Sequence, residues 1–470
     1  MTTLEIAVIG SGPAGLYTAE ALIKQSAALD PPVSVRVDVI DRLVTPYGLV
    51  RYGVAPDHPS IKSIAEYLRT VLEHPDVRFL GGVHLGQDVT RADLLASYDA
   101  VVYATGAMRD RRMRIPGEDL PGSYAATDFV NWYCGHPDVS MDAFALDAES
   151  VAVIGVGNVA VDVARILVRD PAELRPTDVP QPVLEALMAS KVRDVHVIGR
   201  RGPAQAKFTT KELRELGELS GVDILVDPAE VDSAVSDPAG LSALAAETDR
   251  RIRGNLAVIR GWADRPPAGD VRRLTVRFWL RPAAIEGTQR VSGLTVERTR
   301  LDETGVLTGT GELETIPVEM VLRSVGYQSV PLPEVPFDEI TATVPNSEGR
   351  VLGPDGAPLP GEYVAGWLKR GPTGVIGTNK SDAAGSVRSL LSDCAGGGGA
   401  GREDAERPAD SGRPALENVL AARGVTPVSY ADWLRVERAE AALGGELGRG
   451  ARVKLPGREA LDSICRPPVP

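Results

Sequence analysis

Three closely spaced glycines near the start of the chain have the spacing of a phosphate-binding turn. Gly10, Gly12 and Gly15 follow the apolar run 6–9 and precede an apolar stretch with helical character. In such a turn the first glycine makes the tight bend, the second lets a pyrophosphate approach the backbone, and the third lets the helix pack on the sheet. The free N–H groups and the dipole of that helix then bind the phosphates. The stretch therefore predicts a dinucleotide site.

An acid in the expected place strengthens this prediction. A second apolar strand, 35–40, ends at Asp41, where a carboxylate can bind a ribose hydroxyl. Glycine triplets occur in many tight turns, so the triplet alone is a weak signal. The strand before it, the helix after it and Asp41 together favour dinucleotide binding over a plain turn.

The same motif occurs again further along the chain. Gly155 and Gly157 follow the apolar run 151–154, and Ala160 stands at the third glycine position, which the motif tolerates. A helix is expected over 161–169. The repeat predicts a second dinucleotide-binding domain.

Two arginines take the place of the acid in this second motif. The predicted strand 195–198 is followed by Arg200 and Arg201 within the turn 199–203. A carboxylate suits a free ribose hydroxyl, whereas guanidinium groups suit a phosphate on that oxygen. An arginine pair by itself is more often a solvated surface turn, but its position at this strand end favours a nucleotide with a 2′-phosphate.

The elements that must position these motifs alternate between strand and helix, which indicates the α/β class. A chain of 470 residues is expected to fold as two or three domains. The chain is expected to cross into a new domain after Gly106 and to return over 321–327. We therefore predict one domain formed by residues 1–106 and 325–470, with residues 107–324 inserted as a second domain.

Further segments complete the prediction. The segment 45–59 is irregular, and its apolar residues Leu49 and Val54 indicate that it lies over a ligand or under another segment. A flexible glycine-rich linker is expected over about 395–413. The remaining predictions are helices over 60–73, 211–216, 415–423 and 430–443, a long helix from near Gly374, strands over 77–80 and 100–104, and strands over 272–280, 293–300 and 312–317 that are expected to be antiparallel.

Charge and hydropathy exclude other classes of protein. A formal net charge of −13, with no long basic run, argues against nucleic acid as a main partner. The apolar runs are too short to insert into a membrane as a spanning helix. The first strand begins within a few residues of the N-terminus, which leaves no room for a signal or transit peptide. We expect a cytoplasmic protein, or one whose targeting segment has been removed.

The cysteines limit the redox chemistry. Cys134, Cys394 and Cys465 are far apart, which suits a reducing compartment and supplies neither a CxxC pair nor a framework for a metal or an iron–sulfur cluster. A disulfide reductase of the thioredoxin-reductase kind needs a neighbouring cysteine pair and is excluded. Electron delivery through iron–sulfur clusters of the protein's own is excluded for the same reason.

Together these motifs resemble those of the adrenodoxin-reductase-type ferredoxin–NADP reductases, a branch of the flavoproteins with two dinucleotide-binding domains. Residues 47–59 (YGLVRYGVAPDHP), 199–203 (GRRGP) and 367–374 (WLKRGPTG) carry the resemblance. It runs from the first strand through Lys454 and so covers nearly the whole chain. One departure is the segment 396–413, which is longer than the family needs.

The resemblance implies an α/β fold with two Rossmann-like domains, the NADP-binding one inserted into the FAD-binding one. A helix that begins near Gly374 would direct its positive end at the flavin. Trp367 has a broad apolar face that could cover the flavin, although an aromatic residue at a strand end is more often plain core. By the resemblance, FAD contacts fall on Ala14, Asp41, Leu49, Val83, Trp367, Gly374, Val375 and Ile376, and NADP contacts fall on Val156, Gly157, Asn158, Val159, Arg200, Arg201, Glu212 and Gly374.

His58 and Glu212 are the polar candidates for a catalytic role near the nicotinamide. His58 could hold or release a proton in the flavin cycle, or it could be a loop histidine bonded to the backbone. Glu212 could position the nicotinamide, or it could lie on the solvated face of an amphipathic helix. No nucleophile or metal is required, because hydride passes directly from nicotinamide to flavin.

The resemblance implies a flavoprotein that takes hydride from NADPH onto FAD and passes single electrons to a ferredoxin-type iron–sulfur protein, with a cytochrome P450 or a similar system as one possible downstream acceptor. Two alternatives stay open: an NADPH-dependent flavin monooxygenase and a nucleotide-binding redox sensor without turnover. Ferredoxins of this kind are usually acidic, as this chain is, so docking needs a local basic patch. We predict this patch at Arg250, Arg251 and Arg253, with Arg272 and Arg273, against the alternative of a solvated arginine face.

Overall fold

The computed structural model describes residues 3–232, 246–266, 269, 271–395 and 415–467. The chain forms two compact units: the first consists of Met1–Arg109 together with Tyr327–Pro470, and the second is Asp110–Gly326. The second unit is thus inserted in sequence between the two segments of the first. Most of the predicted glycine-rich linker, 396–413, lies outside the described residues.

Strands in the described part of the chain alternate with helices, as the α/β prediction requires. In chain order they are β1 (Thr3–Ile9), β2 (Ser34–Asp41), β3 (Val77–Gly81), β4 (Ala100–Tyr103), β5 (Arg109–Asp110), β6 (Ser123–Ala125), β7 (Ser150–Ile154), β8 (Asp194–Ile198), β9 (Val222–Val226), β10 (Arg272–Arg277), β11 (Leu280–Gly287), β12 (Val291–Leu301), β13 (Leu307–Ile316), β14 (Met320–Arg323), β15 (Tyr327–Gln328), β16 (Asn346–Ser347), β17 (Arg350–Leu352) and β18 (Pro358–Val364).

The helices fill the crossovers between these strands. Among the described residues, no helix is both long enough and apolar enough to cross a bilayer. The α-helices are Pro13–Ala27, Leu49–Tyr52, Pro59–Lys62, Ile64–Leu72, Arg91–Ser97, Ala126–Tyr133, Asn158–Val168, Gln181–Met188, Thr210–Gly217, Pro228–Asp232, Ala246–Ala263, Trp367–Arg370, Thr378–Ala395, Leu416–Ala422, Tyr430–Glu446 and Arg458–Cys465, and the 3-10 helices are Pro171–Leu174 and Pro203–Gln205.

The first unit is built on a seven-stranded sheet with the order β16-β17-β18-β4-β1-β2-β3. Its core from β18 to β3 is parallel, and β1 is central and buried along Ile6–Ile9, because helices cover both faces of such a sheet. Ile9 pairs with Ile40 on one side and with Tyr103 on the other. Strand order reverses between β1 and β4, which is where ligands bind in open α/β sheets.

The second unit is built on a parallel six-stranded sheet with the order β6-β14-β7-β8-β10-β9. An antiparallel sheet, β11-β12-β13, belongs to the same unit, as predicted for the strands 293–300 and 312–317. The prediction of an antiparallel strand over 272–280 was wrong, because β10 pairs in parallel with both β8 and β9. On one face of this sheet Thr275 and its neighbour His196 are only half-buried. That exposure gives β10 the alternating pattern that is typical of an antiparallel strand.

Two helix predictions also need correction. The helix expected over 60–73 is interrupted at Ser63, which separates Pro59–Lys62 from Ile64–Leu72. The long helix expected from near Gly374 begins at Thr378, because Gly374 has a φ of +82° and the Thr378 hydroxyl accepts the N–H of Val375 at 3.1 Å.

Candidate functional site

The first glycine turn has the close backbone approaches that the sequence predicts. Gly10 has a φ of +110°, and a Cβ on it would lie 2.6 Å from the carbonyl oxygen of Ala104, at the end of β4. Its N–H donates to the carbonyl of Ile40 at 2.7 Å. A Cβ on Gly15 would lie 1.9 Å from the Gly10 oxygen. Side chains are therefore excluded from this turn, and it lies between β1 and its neighbours at the point where strand order reverses.

A second backbone segment faces this turn and makes it a narrow cradle. Gly48 has a φ of +46°, and a Cβ on it would lie 2.9 Å from the Cα of Gly12. Gly12 caps the helix Pro13–Ala27 without a side-chain hydrogen bond, so the N–H groups of Ala14 and Gly15 have no intrahelical acceptor. A cradle of bare backbone at a helix N-terminus fits a pyrophosphate group. The structure thus meets the requirement for the phosphates of FAD.

Asp41 anchors this turn. Its Oδ2 accepts the N–H of Ser11 at 2.8 Å and the Ser11 hydroxyl at 2.6 Å, while Oδ1 accepts the N–H of Leu43 at 2.9 Å. A carboxylate has about four lone-pair sites, so these three bonds leave capacity for a ribose hydroxyl. The N–H of Val83 donates to the Asp41 carbonyl at 2.9 Å, which places Val83 beside the end of β2. Sequence reasoning missed Ser11 because the motif specifies the glycines and not the residue between the first two of them.

The C-terminal motif lies beside the same turn. A Cβ on Gly366 would lie 2.4 Å from the Cβ of Ala14, so the residue before Trp367 is held next to the helix Pro13–Ala27. Trp367 is half-buried, and its Nε1 donates to the carbonyl of Thr373 at 3.2 Å. Its ring centroid is 5.5 Å from that of Tyr327. The structure therefore brings Trp367 and Ala14 into one region of the first unit.

Two helices of the first unit present their amino ends to this region. Lys380 Nζ lies 3.3 Å from Glu20 Oε1, and Gln25 Nε2 donates to the carbonyl of Ala384 at 3.0 Å. The contact residue later in one helix pairs with the contact residue later in the other, so the helices Pro13–Ala27 and Thr378–Ala395 run in the same direction. Their positive ends are therefore at the same end of the pair. The turn that carries Gly374, Val375 and Ile376 precedes the second of these helices, and Val375 is 65% exposed.

Leu49 and His58 belong to the segment 45–59, which the sequence predicts to be irregular. Leu49 begins the one-turn helix Leu49–Tyr52 and is half-buried. His58 is buried at 6% exposure and precedes the helix Pro59–Lys62, and its N–H donates to the carbonyl of Ala55 at 3.1 Å. The backbone bond fits either interpretation of His58, so its role in proton transfer stays a prediction.

The second glycine turn repeats the geometry of the first. A Cβ on Gly155, which has a φ of +137°, would lie 2.2 Å from the carbonyl oxygen of Ser324 at the end of β14. Its N–H donates to the carbonyl of Ile198 at 2.9 Å. Nothing lies within 4 Å of a Cβ built on Gly157, which caps the helix Asn158–Val168. Open space at a helix start that has no side-chain cap fits the phosphates of NADP(H).

Asn158 joins this turn to the helix that carries Glu212. Its Oδ1 accepts the N–H of Thr209 at 2.9 Å, and the Thr209 hydroxyl in turn accepts the N–H of Glu212 at 3.3 Å, which caps the helix Thr210–Gly217. The carbonyl of Val156 accepts the N–H of Lys207 at 2.8 Å. Val159 continues the helix that follows the turn and is half-buried.

Glu212 is not on a solvated helix face, so that alternative was wrong. It is buried at 6% exposure, and its Oε2 lies 3.5 Å from Nη1 of Arg165, which is 1% exposed and also pairs with Asp162. The alternating charges around Glu212 suggested exposure. A signal was nevertheless present, because Glu212 and the buried Leu216 are four residues apart and share one face of the helix.

Arg200 and Arg201 have a fixed backbone and free side chains. The Thr299 hydroxyl donates to the Arg200 carbonyl at 2.8 Å, and the N–H of Trp279 donates to the Arg201 carbonyl at 3.3 Å. Both side chains are exposed, and neither guanidinium has a hydrogen-bond partner within the described part of the chain. Unpaired guanidinium groups after β8 fit the 2′-phosphate of NADP(H).

The predicted docking patch divides into arginines that are exposed and arginines that are engaged in hydrogen bonds or ion pairs. Arg250 and Arg253 are exposed on the helix Ala246–Ala263. Arg251 instead donates from Nη1 to the carbonyls of Ala206 and Phe208, at 2.7 and 3.3 Å. The remaining two members are also engaged: Arg272 donates to the carbonyl of Arg169 at 2.7 Å, and Arg273 pairs with Asp194. Arg250 and Arg253 are therefore the members available to a partner.

Comparison with known proteins agrees with this geometry. A family model described as pyridine nucleotide-disulphide oxidoreductase matches residues 4–259. A Mycobacterium tuberculosis protein named NADPH-ferredoxin reductase FprA is 44% identical over 454 residues, which cover 96% of each chain. The mitochondrial NADPH:adrenodoxin oxidoreductase of Rattus norvegicus is 38% identical, with coverage of 98% of this chain and 92% of that protein.

Solved structures extend the similarity to the fold. The structure of Mycobacterium tuberculosis FprA in complex with NADPH matches with a TM-score of 0.89 and 42% identity, over 98% of this chain and 99% of that one. Although the matched family is named for disulphide chemistry, Cys134, Cys394 and Cys465 form no disulfide within the described part of the chain. The chain therefore belongs to the pyridine nucleotide-disulphide oxidoreductase family, and within it to the adrenodoxin-reductase type of ferredoxin–NADP reductases.

Proposed function

We propose that this protein uses FAD to transfer electrons from NADPH to a ferredoxin-type iron–sulfur protein. One observation carries the proposal: the chain has two glycine turns of the same geometry, of which one is anchored by Asp41 and the other is followed by the free pair Arg200 and Arg201. The first arrangement suits FAD and the second suits NADP(H). The names of the M. tuberculosis and rat relatives support the choice of an iron–sulfur acceptor.

The proposed cofactor-binding residues form two groups, one in each unit. In the first unit the backbone at Gly10, Gly12, Ala14 and Gly15 binds the pyrophosphate of FAD, and Asp41 binds a ribose hydroxyl. The positive ends of two helices in that unit favour negative charge on the cofactor. Bound FAD supplies the ability to accept two electrons and to release them one at a time.

In the second unit, residues at the second glycine turn bind NADP(H). Gly155, Val156, Gly157, Asn158 and Val159 receive its pyrophosphate, and Arg200 and Arg201 hold its 2′-phosphate. The buried carboxylate of Glu212, fixed by Arg165, is suited to orient the nicotinamide amide.

The remaining predicted residues of the first unit complete the proposal. Leu49, Val83, Trp367, Gly374, Val375 and Ile376 bind FAD beyond its phosphates, and His58 holds or releases a proton. The three cysteines are few and far apart in the sequence, which suits a reducing compartment, and we propose that the protein acts in the cytoplasm.

A single-turnover experiment tests the proposed reaction. The purified protein is reduced with one equivalent of NADPH without oxygen, mixed with an oxidised ferredoxin, and the two chromophores are followed separately. We expect the visible flavin band to bleach on addition of NADPH and one-electron reduction of the iron–sulfur cluster to follow. A protein that lacks flavin, or that is reduced equally well by NADH, contradicts the cofactor assignment.

Steady-state measurements separate this activity from the alternatives. Turnover with NADPH and ferricyanide but no transfer to any ferredoxin contradicts the assigned acceptor. NADPH-dependent oxygen consumption that leaves ferredoxin oxidised indicates a monooxygenase. Absence of turnover with every acceptor indicates a sensor.

A further inference from the structure

The helix Tyr430–Glu446, near the end of the chain, contacts the segment Tyr47–Arg51. This segment contains Gly48, which faces Gly12 and completes the backbone cradle proposed to bind FAD, called here the FAD cradle. The Tyr430 hydroxyl lies 3.3 Å from the Tyr47 hydroxyl. The Trp433 ring meets the Tyr47 ring edge-on, with 6.3 Å between centroids. About two helical turns after Trp433, Glu440 Oε2 accepts a hydrogen bond from Arg51 Nη1 at 3.1 Å. Because these contacts recur at helical spacing, one face of this helix follows the segment Tyr47–Arg51.

The segment that this face holds has an unfavourable backbone. Tyr47 has a φ of +80°, which is uncommon for a residue with a side chain, and Gly48 follows with a φ of +46°. Conformations of this kind persist when surrounding contacts fix them. The Tyr47 N–H donates to the carbonyl of Ser11 at 3.0 Å, and Gly48 lies directly against Gly12. The unfavourable conformation therefore occurs where the backbone closes over the phosphate-binding turn.

A buried ion pair fixes the far end of the same segment. The side chains of Arg51 and Glu440 are 1% and 0% exposed. The Arg51 guanidinium also lies 4.8 Å from the Trp433 ring centroid, and Lys454 Nζ donates to the Arg51 carbonyl at 2.5 Å. Glu440 Oε1 accepts the N–H of Leu455 at 3.0 Å.

The burial of Arg51 and Glu440 determines how much their ion pair contributes to the stability of the protein. Desolvation of both charges offsets most of their attraction, so a buried pair is weak support for stability in general. Removal of one partner is nevertheless costly, because the other charge is left buried and unpaired. The network around Arg51 and Glu440 therefore adds little to the net free energy of folding. Its main effect is to make other arrangements of the segment Tyr47–Arg51 unfavourable.

We propose that the helix Tyr430–Glu446 positions the FAD cradle, and that Glu440 is a positioning residue that acts through Arg51 and Gly48. The proposal rests on the assignment of FAD to the first glycine turn. Glu440 itself contacts Arg51 and the 453–455 backbone, so its effect on FAD is indirect. The function of this helix is then to keep Gly48 close enough to Gly12 for both backbones to contact the pyrophosphate.

The test compares two Glu-to-Gln variants one turn apart on this helix. Glu437 pairs with Arg452 at 3.0 Å and with Arg69 at 3.4 Å, is 21% exposed, and contacts neither Tyr47 nor Arg51 through a hydrogen bond. The rate at which FAD leaves each holoprotein is measured from the rise of free-flavin fluorescence after dilution. We expect E440Q to release FAD about tenfold faster or more, and E437Q to match the wild type.

Two further measurements separate positioning from general destabilisation. Affinity for 2′-phospho-AMP should be unchanged in E440Q, because its site belongs to the second unit. The variant Y430F keeps the ring and the Arg51–Glu440 pair but removes the hydroxyl contact with Tyr47. It should release FAD a few-fold faster, because one hydrogen bond corresponds to about a two- to tenfold change, while the unfolding temperature should fall by no more than a few degrees. This variant decides the question if E440Q does not fold.

The outcomes distinguish the inference from the function on which it rests. If the wild-type protein and E437Q bind no FAD, the proposed function fails. If they bind FAD and E440Q releases it at the same rate, the function stands and the positioning role of Glu440 is overturned. Equal FAD release from Y430F and the wild type likewise overturns a role for the helix face.

Discussion

The preference for NADPH over NADH should depend on Arg200 and Arg201. Both side chains are exposed and free of partners among the described residues, while their backbone is held by Thr299 and Trp279. Replacement of either by alanine should therefore leave the turn in place and change the free energy of unfolding by no more than about 0.5 kcal/mol. What each variant should lose is the proposed charged contact to the 2′-phosphate.

The size of the effect follows from that contact. A hydrogen bond to a charged group contributes about 1.5–3 kcal/mol. Since about 1.4 kcal/mol corresponds to a factor of ten, R200A and R201A should each lower kcat/KM for NADPH by roughly ten- to a hundredfold. NADH lacks the 2′-phosphate, so its kcat/KM should change little. The flavin should stay bound, because its proposed site belongs to the other unit.

The assay measures kcat/KM for both nucleotides with ferricyanide as acceptor. R300A is the matched control, because Arg300 is also an exposed arginine of the second unit and its removal changes the net charge equally. R300A should affect NADPH and NADH equally and weakly. Equal losses for the two nucleotides in R200A or R201A would refute the reasoning, and the pair would then only support the fold.

Three other predictions concern protons, docking and stability. The variant H58Q keeps a hydrogen-bonding side chain at this position, but glutamine does not titrate near neutral pH, so the pH profile of NADPH oxidation should lose one limb. An unchanged pH profile together with a lower unfolding temperature would indicate a structural role for His58. The double variant R250E/R253E should slow electron transfer to an acidic ferredoxin. The wild-type rate should fall as salt is added, because the Debye length shrinks from about 10 Å at 0.1 M to about 3 Å at 1 M. A transfer rate that does not depend on salt and is the same in the variant would exclude this patch. Although partial burial opposes the effect, hydrogen bonds from Arg423 and Thr90 lower the pKa of Asp93 to about 2. A lowered folded-state pKa stabilises the protein above the ordinary pKa of Asp, so D93N should lower the urea midpoint at pH 7, and the difference should narrow as pH falls from about 4 towards 2.

The glycine turns could be predicted because their constraints are local. Gly10 and Gly155 both need backbone conformations and close approaches that a side chain forbids, and this requirement is visible in the spacing of the motif. Asp41 ends β2 and Arg200 follows β8, so both are placed by the parallel register of neighbouring strands. The order of strand and helix along the chain therefore carries most of this geometry.

Long-range contacts could not be predicted in the same way. The apolar character of the segment 45–59 indicated that it lies over a ligand or under another segment, and the helix Tyr430–Glu446 contacts it. Nothing local identifies Glu440 as the partner of Arg51, because each looks like an ordinary surface charge in sequence. The parallel pairing of β10 was missed for a related reason: half-exposure of one sheet face produces the same alternation as an antiparallel strand.

The Arg51–Glu440 pair also sets the order in which the molecule can mature. The two residues are 389 positions apart, so at about 5–20 residues per second a ribosome adds Glu440 roughly 20 to 80 s after Arg51. The inserted unit, Asp110–Gly326, is synthesised completely within that interval. The second unit can thus fold while the first glycine turn still lacks the helix that contacts Tyr47. If Glu440 positions the cradle as proposed, we expect flavin incorporation to be a late event of biosynthesis, and nascent chains that stall before Tyr430 should carry a folded second unit without tightly held flavin.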